Sequence, residues 1–383
     1  MNSVFRRVLA WAMVLALGAT LMPSGAQAKD KLLDEVIEFT GALLFLETKV
    51  PGLVIGAVRN GETSVAGFGR VSEQENRKPD GKTLLRVGSI TKVFTGAALA
   101  SLVADGAVKF TDPLQKHLNW GVDIPSKDGK HIRLIDLVTH TSGLPREIER
   151  PPSPPDNPFQ TITKEAFIAN LRGDPLLFPP GTGALYSNFA FDLLAQALGN
   201  AARKSYADLL SERILQPLGL GSTAFTHDAQ QKNLMQGHDF DGKPLPDAPT
   251  SPMIVGSGGL YSTADDILRW TAWHLDRFST ADAETRLLDH SAYVYRDGLS
   301  PVFGLDESGR MDAMGLGWII MMPKNGKPLI LQKAGGLQGV FCYMAFAPAH
   351  GIGVFVAINQ FNLGAALNMA EVVNGLISDL ALR

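Results

Sequence analysis

Apolar residues recur at helical spacing from Asp30 to Leu46 (Leu33, Val36, Ile37, Phe39, Leu43, Leu44), which predicts an opening helix. Pro51 follows, and two short apolar runs, Leu53 to Val58 and Ser64 to Phe68, meet at Asn60-Gly61, a strong hairpin signal. Val93 to Ala104 is rich in Ala, Leu and Val and is followed by Gly106, the pattern of a buried helix with a glycine stop. Between about Thr111 and Leu275 strand signals are sparse, and helical patterns alternate with Pro and Gly breaks. Ile132 to Val138, Leu193 to Ala202 and Tyr206 to Leu215 read as helices, while Pro151 to Pro155 is too rich in proline for regular structure. Ser262-Thr263-Ala264-Asp265 is a capping-box variant ahead of another helix. After a polar stretch near 277–312 come four short apolar runs, Leu316 to Met322, Pro328 to Lys333, Val340 to Ala347 and Ile352 to Ile358. Gly335 to Gly339 and Pro348 to Gly351 join the last three as antiparallel neighbours, and Leu363 to Leu382 reads as a closing helix.

Strands at both ends with helices between them predict an α+β fold: one antiparallel sheet built from both chain ends. Residues 29–110 and 300–383 form the sheet-and-helix part, 111–299 an inserted, mostly helical domain, and the active site is expected between them. Two of the late strands are apolar on both faces, so helices should flank the sheet on both sides.

The 383 residues are 45% hydrophobic and 19% charged, ample for a large core. A net charge of -3 with no long run of one sign offers no electrostatic case for nucleic acid. Residues 1–28 carry the marks of a secretory signal peptide. Arg6 and Arg7 form a basic start, Val8 to Met22 an apolar run too short to span a bilayer comfortably, and Ala26-Gln27-Ala28 a small-x-small cleavage site. Cys342 is the single cysteine, so no internal disulfide can form; its apolar setting reads as a strand in the core.

Candidate chemistry concentrates in three places. The first is Ser89-Ile90-Thr91-Lys92 at the head of the predicted buried helix, where three-residue spacing puts Ser89 and Lys92 on one face. A serine hydroxyl needs an adjacent base, and a lysine serves as one only with its pKa lowered from about 10.4 to roughly 7–8, on the order of 4 kcal/mol. Burial, a second cation and the positive end of a helix all act in that direction. A capping serine and a surface lysine would give the same letters, but an apolar run is a poor place for a solvated lysine. The second place is Tyr186-Ser187-Asn188. A tyrosine near two lysines can hold a lowered pKa and shuttle protons, and Asn188 can hold a lysine; read alone, it is a loop with Ser187 or Asn188 capping a helix. The third is Lys333-Ala334-Gly335-Gly336, read as the end of a strand. Its lysine can face a substrate carboxylate, and its glycines let backbone approach backbone so that an N–H points at a reacting carbonyl oxygen. The order helix start, loop, strand matches the set of Ser-x-x-Lys, Ser-Asp-Asn and Lys-Thr-Gly with Tyr for the first Ser of the middle element. No Gly-x-Ser-x-Gly elbow occurs. The eight histidines are scattered without ligand spacing, so neither metal nor other cofactor is expected, and His140 reads as a structural hydrogen-bonder. Trp270 to Trp273 reads as helix core.

On these motifs the chain resembles the serine β-lactamase and penicillin-binding protein superfamily, class C branch, and within it the AmpH-type D-alanyl-D-alanine carboxypeptidases/endopeptidases. The closer match is carried by Thr139 to Glu147 (THTSGLPRE), Tyr186 to Leu198 (YSNFAFDLLAQAL), Gly256 to Trp270 (GSGGLYSTADDILRW) and Gly315 to Gly326 (GLGWIIMMPKNG). The resemblance implies a β-lactamase/transpeptidase-like fold and a periplasmic enzyme that acts on peptidoglycan stem peptides and is acylated by β-lactams. Peripheral contact with the inner membrane is left open. It makes Ser89 the nucleophile, Lys92 the base and Tyr186 the proton shuttle. It places Asn188, Lys333, Ala334 and Gly335 against substrate and makes the N–H groups of Ser89 and Gly336 the oxyanion hole. In one respect the chain departs from the pattern: Ala334 stands where the family usually has Thr or Ser, whose hydroxyl helps bind a terminal carboxylate. That keeps an esterase or weak β-lactamase in view, and beside it a sensor that is acylated but turns over slowly.

Overall fold

The computed structural model describes residues 30–228 and 233–382; the predicted signal peptide lies outside them. The opening helix α1 (Lys31–Thr48) leads into a hairpin of β1 (Gly52–Arg59) and β2 (Glu62–Gly69). Asn60 and Gly61 both take positive φ, 49° and 85°, the conformation a two-residue hairpin turn requires. A short strand β3 (Leu84–Arg86) precedes α2 (Thr91–Ala104). The inserted segment carries α3 (Lys164–Arg172), α4 (Asn188–Ala202), the short strand β4 (Tyr261–Thr263) paired to β3, and α5 (Ala264–Leu275).

The chain then adds α6 (Ala283–His290), β5 (Val294–Tyr295), β6 (Ala313–Met314), β7 (Ile319–Met321), β8 (Ile330–Leu337), β9 (Val340–Ala347), β10 (Ile352–Ile358) and α7 (Leu363–Ala381). One antiparallel sheet in the order β2-β1-β10-β9-β8-β7-β6-β5 unites the two chain ends. Leu53 of β1 lies opposite Ile358 of β10, so the first and last strands meet inside the sheet rather than at its edge.

Every residue of β10 is buried, which an all-apolar strand requires on both faces. On one face α1 (Leu33, Ile37, Leu44) and α7 (Met369, Val373, Ile377) pack against Ile55, Tyr343, Val354 and Val356. On the other, α2 and α5 bring Val93, Phe94, Ile267 and Trp270 against Val54, Met344 and Phe355. Trp270 is fully buried and stacks on Phe94, so this region is helix core, as its sequence predicts. Each such side chain contributes about 1.5–3 kcal/mol on leaving water. Helix α2 is apolar on nearly all sides and correspondingly buried on nearly all sides, the pattern of a helix at the centre of a domain.

Several sequence expectations shift. The polar stretch 277–312 contains a helix, α6, that no apolar period announces. Three of its polar side chains find partners inside the protein: Asp289 accepts from Trp318 Nε1 at 2.8 Å, His290 Nε2 lies 2.8 Å from His274 Nδ1, and Arg286 donates to the Ser279 carbonyl at 2.7 Å. The run from Leu316 shortens to Ile319–Met321 because Gly317, at φ 83°, turns the chain first. The cap of α5 is Thr263, whose hydroxyl accepts from Asp266 N, one position later than the predicted Ser262. Lys333-Ala334-Gly335-Gly336 is not a strand end: β8 continues through both glycines to Leu337 and reverses at Gln338-Gly339, φ 49° and 76°. The glycines belong in the strand because another backbone lies against them.

Candidate active site

That other backbone is the turn carrying Ser89. Gly88, Ser89 and Ile90 form a single 3₁₀ turn between β3 and α2. A Cβ on Gly335 would lie 2.8 Å from both Ser89 N and Ile90 N, and one on Gly88 would lie 2.6 Å from Gly336 N. Only glycine permits this approach, which brings the 88–90 turn against the backbone of Gly335 and Gly336. Gly88 also needs its φ of 50°.

Lys92, in the first turn of α2, is fully buried. Its Nζ reaches Ser89 Oγ at 3.1 Å, Asn188 Oδ1 at 2.6 Å and the Ser257 carbonyl at 2.7 Å. Three acceptors fill the hydrogen-bonding capacity of an ammonium, while burial, and after it the charge of Lys333, holds its pKa well below the ordinary range; Asp192 and Glu147 act in the opposite sense. Lys333 on β8 is also buried, and burial lowers it to about 7, assisted by Arg146 and opposed by Glu307.

Tyr186 stands between these cations. Lys92 Nζ, Lys333 Nζ and the Arg146 guanidinium carbon lie 4.9, 4.8 and 4.7 Å from its ring centroid. The expectation of a lowered tyrosine pKa is corrected here. Burial outweighs both the hydrogen bond with Ser89 and the charge of Arg146, and the phenol is pushed above its usual value. Cations against the ring face stabilise the π-system, but desolvating the phenolate costs more.

The Tyr186 loop is held by the 139–147 segment. Ser187 caps α4, accepting from Ala190 N at 3.0 Å, and donates its hydroxyl to the Pro145 carbonyl at 2.6 Å. His140, at φ 59°, accepts the Ser187 N–H on Nδ1 at 3.0 Å and stacks on Tyr186 with centroids 4.6 Å apart. Burial holds this imidazole neutral, which leaves Nδ1 free to accept, the structural role its sequence predicts. Asn188 N donates to the Arg146 carbonyl at 2.8 Å, and the Asn188 amide donates to Glu147.

Three groups escaped sequence reasoning. Asp192, on α4, accepts from Gly256 N, Ser257 N and Ser257 Oγ at 3.2, 2.8 and 2.9 Å, and so fixes the carbonyl that receives Lys92. Burial raises this carboxyl to about 8 against the charge of Lys92 and those hydrogen bonds. Arg146 and Glu307 flank the cleft with Nη1 and Oε1 at 3.8 Å. Asp192, Ser257 and Arg146 lie within the four quoted segments, but nothing in their spacing tied them together.

Ser89, Tyr186, Lys333, Ala334, Gly335 and Gly336 line one cleft of about 270 Å³, with Lys92 and Asn188 directly behind it. All the predicted site residues therefore converge. Among the described residues, one group of side chains has the convergence to hold a metal: His274, Asp289 and His290, with candidate ligand atoms within 4.8 Å of each other. It lies in the core where α5 meets α6, does not line the cleft, and already has internal hydrogen bonds. The two histidines are sixteen positions apart, so their pairing was invisible in the chain.

A serine lining a cleft, hydrogen-bonded to a fully buried lysine amine and beside a phenol, is an arrangement suited to serine acyl transfer. The family model described as Beta-lactamase matches residues 29–374, and the chain belongs to that family as a serine hydrolase of the β-lactamase and penicillin-binding type. Among curated proteins it is 32% identical to the D-alanyl-D-alanine-carboxypeptidase/endopeptidase AmpH of Escherichia coli (strain K12), covering 98% of this chain and 97% of that one. It is 24% identical to a beta-lactamase of Pseudomonas fluorescens, covering 85% and 93%. Among solved structures it is similar to the beta-lactamase/D-alanine carboxypeptidase from Yersinia pestis complexed with citrate, with a TM-score of 0.83, 36% identity, and 91% and 98% of the chains covered. An octameric penicillin-binding protein homologue from Pyrococcus abyssi shares the fold, with a TM-score of 0.71, 24% identity, and 87% and 76% covered.

Proposed function

We propose that this hydrolase cleaves the D-alanyl-D-alanine terminus of peptidoglycan stem peptides, and peptide cross-links as well, through an acyl-enzyme on Ser89. The observation that carries the reading is the buried, pKa-lowered Lys92 amine 3.1 Å from Ser89 Oγ. In its neutral form Lys92 takes the hydroxyl proton as Oγ bonds to the penultimate D-Ala carbonyl carbon. The oxyanion sits between the N–H groups of Ser89 and Gly336. Collapse breaks the C–N bond, and the proton on Lys92 passes by way of the Tyr186 hydroxyl to the leaving amine. Water then attacks the ester, giving its proton to the same Lys92–Tyr186 pair; as the carbonyl C–Oγ bond breaks, Lys92 returns that proton to Ser89 Oγ and the acid product leaves. Because Tyr186 stays a phenol, it relays protons rather than standing as a tyrosinate base. Lys333 offers charge to the substrate carboxylate, and Asn188 holds Lys92 in line.

The basic, apolar and small-residue pattern of positions 1–28 supports export to the periplasm. Among the described residues no helix is long and apolar enough to cross a membrane. Exposed Phe39, Leu43 and Leu46 along α1 are compatible with peripheral contact with the inner membrane.

Labelled penicillin should form a covalent adduct with the wild type and none with Ser89→Ala; equal yield on the variant would sink the assignment. Muropeptide digestion followed by mass analysis tests the substrate. A second reading, an esterase or weak β-lactamase, draws on Ala334, which brings no hydroxyl to a substrate carboxylate. Intact pentapeptides alongside a cleaved short p-nitrophenyl ester would favour it, and a stable adduct with no D-Ala released would favour a sensor.

A further inference from the structure

The cleft does not end at Ser89. It crosses the edge of β8, whose pairing with β7 runs from Ile330 to Gln332 and stops there, into a recess on the α7 face of the sheet. Side chains alternate along a strand, so Gln332, Ala334 and Gly336 share that face while Lys333 and Gly335 point the other way. A Cβ at Gly336 would meet the rings of Phe341 and Phe361 at 3.0 and 3.4 Å, so those rings bound the recess. Leu363 and Ala366, from the first turn of the nineteen-residue helix α7, also line it.

Gln332 lines this cleft and is 1% exposed, yet neither its Nε2 nor its Oε1 has a hydrogen-bond partner. An unpaired buried amide is costly, and a native protein retains one where something else completes it. The neighbouring Ala334 brings no donor, and Asn362 spends its Oδ1 capping Ala365 N. Arg146 is met by two carboxylates, Glu147 at 4.0 Å and Glu307 at 3.8 Å, so the positive potential that draws an anion to this end of the cleft comes from Lys333 and the N-terminus of α7.

We infer that Gln332 is a specificity-determining residue whose side-chain amide donates to the terminal carboxylate of the leaving amino acid, whose apolar body rests among Phe341, Phe361 and Leu363. This deepens the proposed peptidase reading and rests on it. It assigns to Gln332 the polar contact that Ala334 does not make.

The test uses two acyl-D-Ala-D-Ala peptides, one ending in the free acid and one in the primary amide, with a neutral thioester of the same acyl group as a third substrate. Each is assayed on the wild type, Gln332→Met and Gln332→Glu. The readout is the acid-to-amide ratio of kcat/KM, which general damage to the site does not move. A lost hydrogen bond to a charged group lowers that ratio about ten- to a hundredfold in Gln332→Met, mostly through KM. Gln332→Glu, which puts a carboxyl against the bound carboxylate, turns the preference toward the amide. Ratios within twofold of wild type in both variants, with melting temperatures unchanged, would overturn the inference and leave the peptidase reading standing, the amide then being served by solvent alone. Should the wild type cleave the thioester but neither peptide, the peptidase reading fails and this inference with it.

Discussion

Lys333 makes the proposed chemistry testable by pH. The perturbation is a titration of the free enzyme from pH 6 to 9 with the acid peptide and the neutral thioester in parallel. Burial lowers Lys333 to about 7 from an ordinary 10.5. If its ammonium receives the substrate carboxylate, binding competence follows the protonated fraction, about one half at pH 7 and about one hundredth at pH 9. Expected kcat/KM for the acid peptide therefore falls about fiftyfold across those two units, while the thioester shows no such alkaline limb. The bound complex should behave differently. A carboxylate near 4 Å contributes on the order of 4 kcal/mol at an effective dielectric of about 20, roughly three pKa units upward. Lys333 then stays charged to about pH 10 under saturation, and kcat for the acid peptide loses the limb that kcat/KM shows. Lys92 works with the opposite sign, since it must be neutral to act as base, and it shapes the acid side of both profiles alike. Steady-state kinetics in a constant-ionic-strength buffer series reads all four curves. An alkaline limb shared by both substrates, or absent from the acid peptide, would refute the assignment of charge recognition to Lys333.

The same burial has a stability signature. The folded-state pKa of Lys333 lies below its unfolded value, so between about pH 7 and 10.5 the unfolded chain binds more protons and stability rises with pH. Lys333→Met should raise the melting temperature at pH 7 and flatten that rise, as measured by thermal denaturation at several pH values, while acylation by penicillin slows. Asp192→Asn should slow acylation at least tenfold by loosening the Ser257 carbonyl from Lys92, with about 1–3 kcal/mol lost in denaturant unfolding. An unaltered acylation rate would show that the carbonyl holds its place without the carboxylate. Gly335→Ala must displace the Ser89 turn from β8, and the expected outcome is a folded protein with acylation reduced at least a hundredfold, monitored by labelled penicillin and circular dichroism.

Most of the frame was legible because its signals are local. Asn60-Gly61 marks its hairpin by backbone conformation alone, β9 and β10 have the bounds their apolar runs predict, and α1 and α7 follow their periodicity. The elements that resisted are those whose stability is non-local. Helix α6 shows no apolar period because its exposed Leu287 and buried Asp289 reverse the usual pattern, and Asp289 and His290 find their partners in Trp318, just before β7, and in His274 of α5. The glycines of β8 carry two readings in the sequence, a turn and a close approach of backbones, and the Ser89 turn lying against them decides for the second; the misplaced feature was the strand's end, not the glycines' use.

The site divides along the same line. Ser89, in the 3₁₀ turn, and Lys92, in the first turn of α2 that follows it directly, sit three residues apart, so their contact follows from local helical geometry. Asp192 acts through two other segments, α4 holding 256–257 and 257 holding Lys92, and such a relay has no spacing to read. The sign of the Tyr186 shift was misjudged for a related reason. Sequence supplies the nearby charges, but the desolvation that opposes them is a property of the assembled cleft, and here it is the larger effect. A phenol kept protonated among two amines and a guanidinium can hand a proton on without holding a negative charge. That division of labour, an amine as base and a phenol as relay, requires desolvation that lowers the lysine and raises the tyrosine together: the packing of α2 at the centre of the domain supplies it for Lys92, and the cleft wall, where His140 stacks on the ring, for Tyr186.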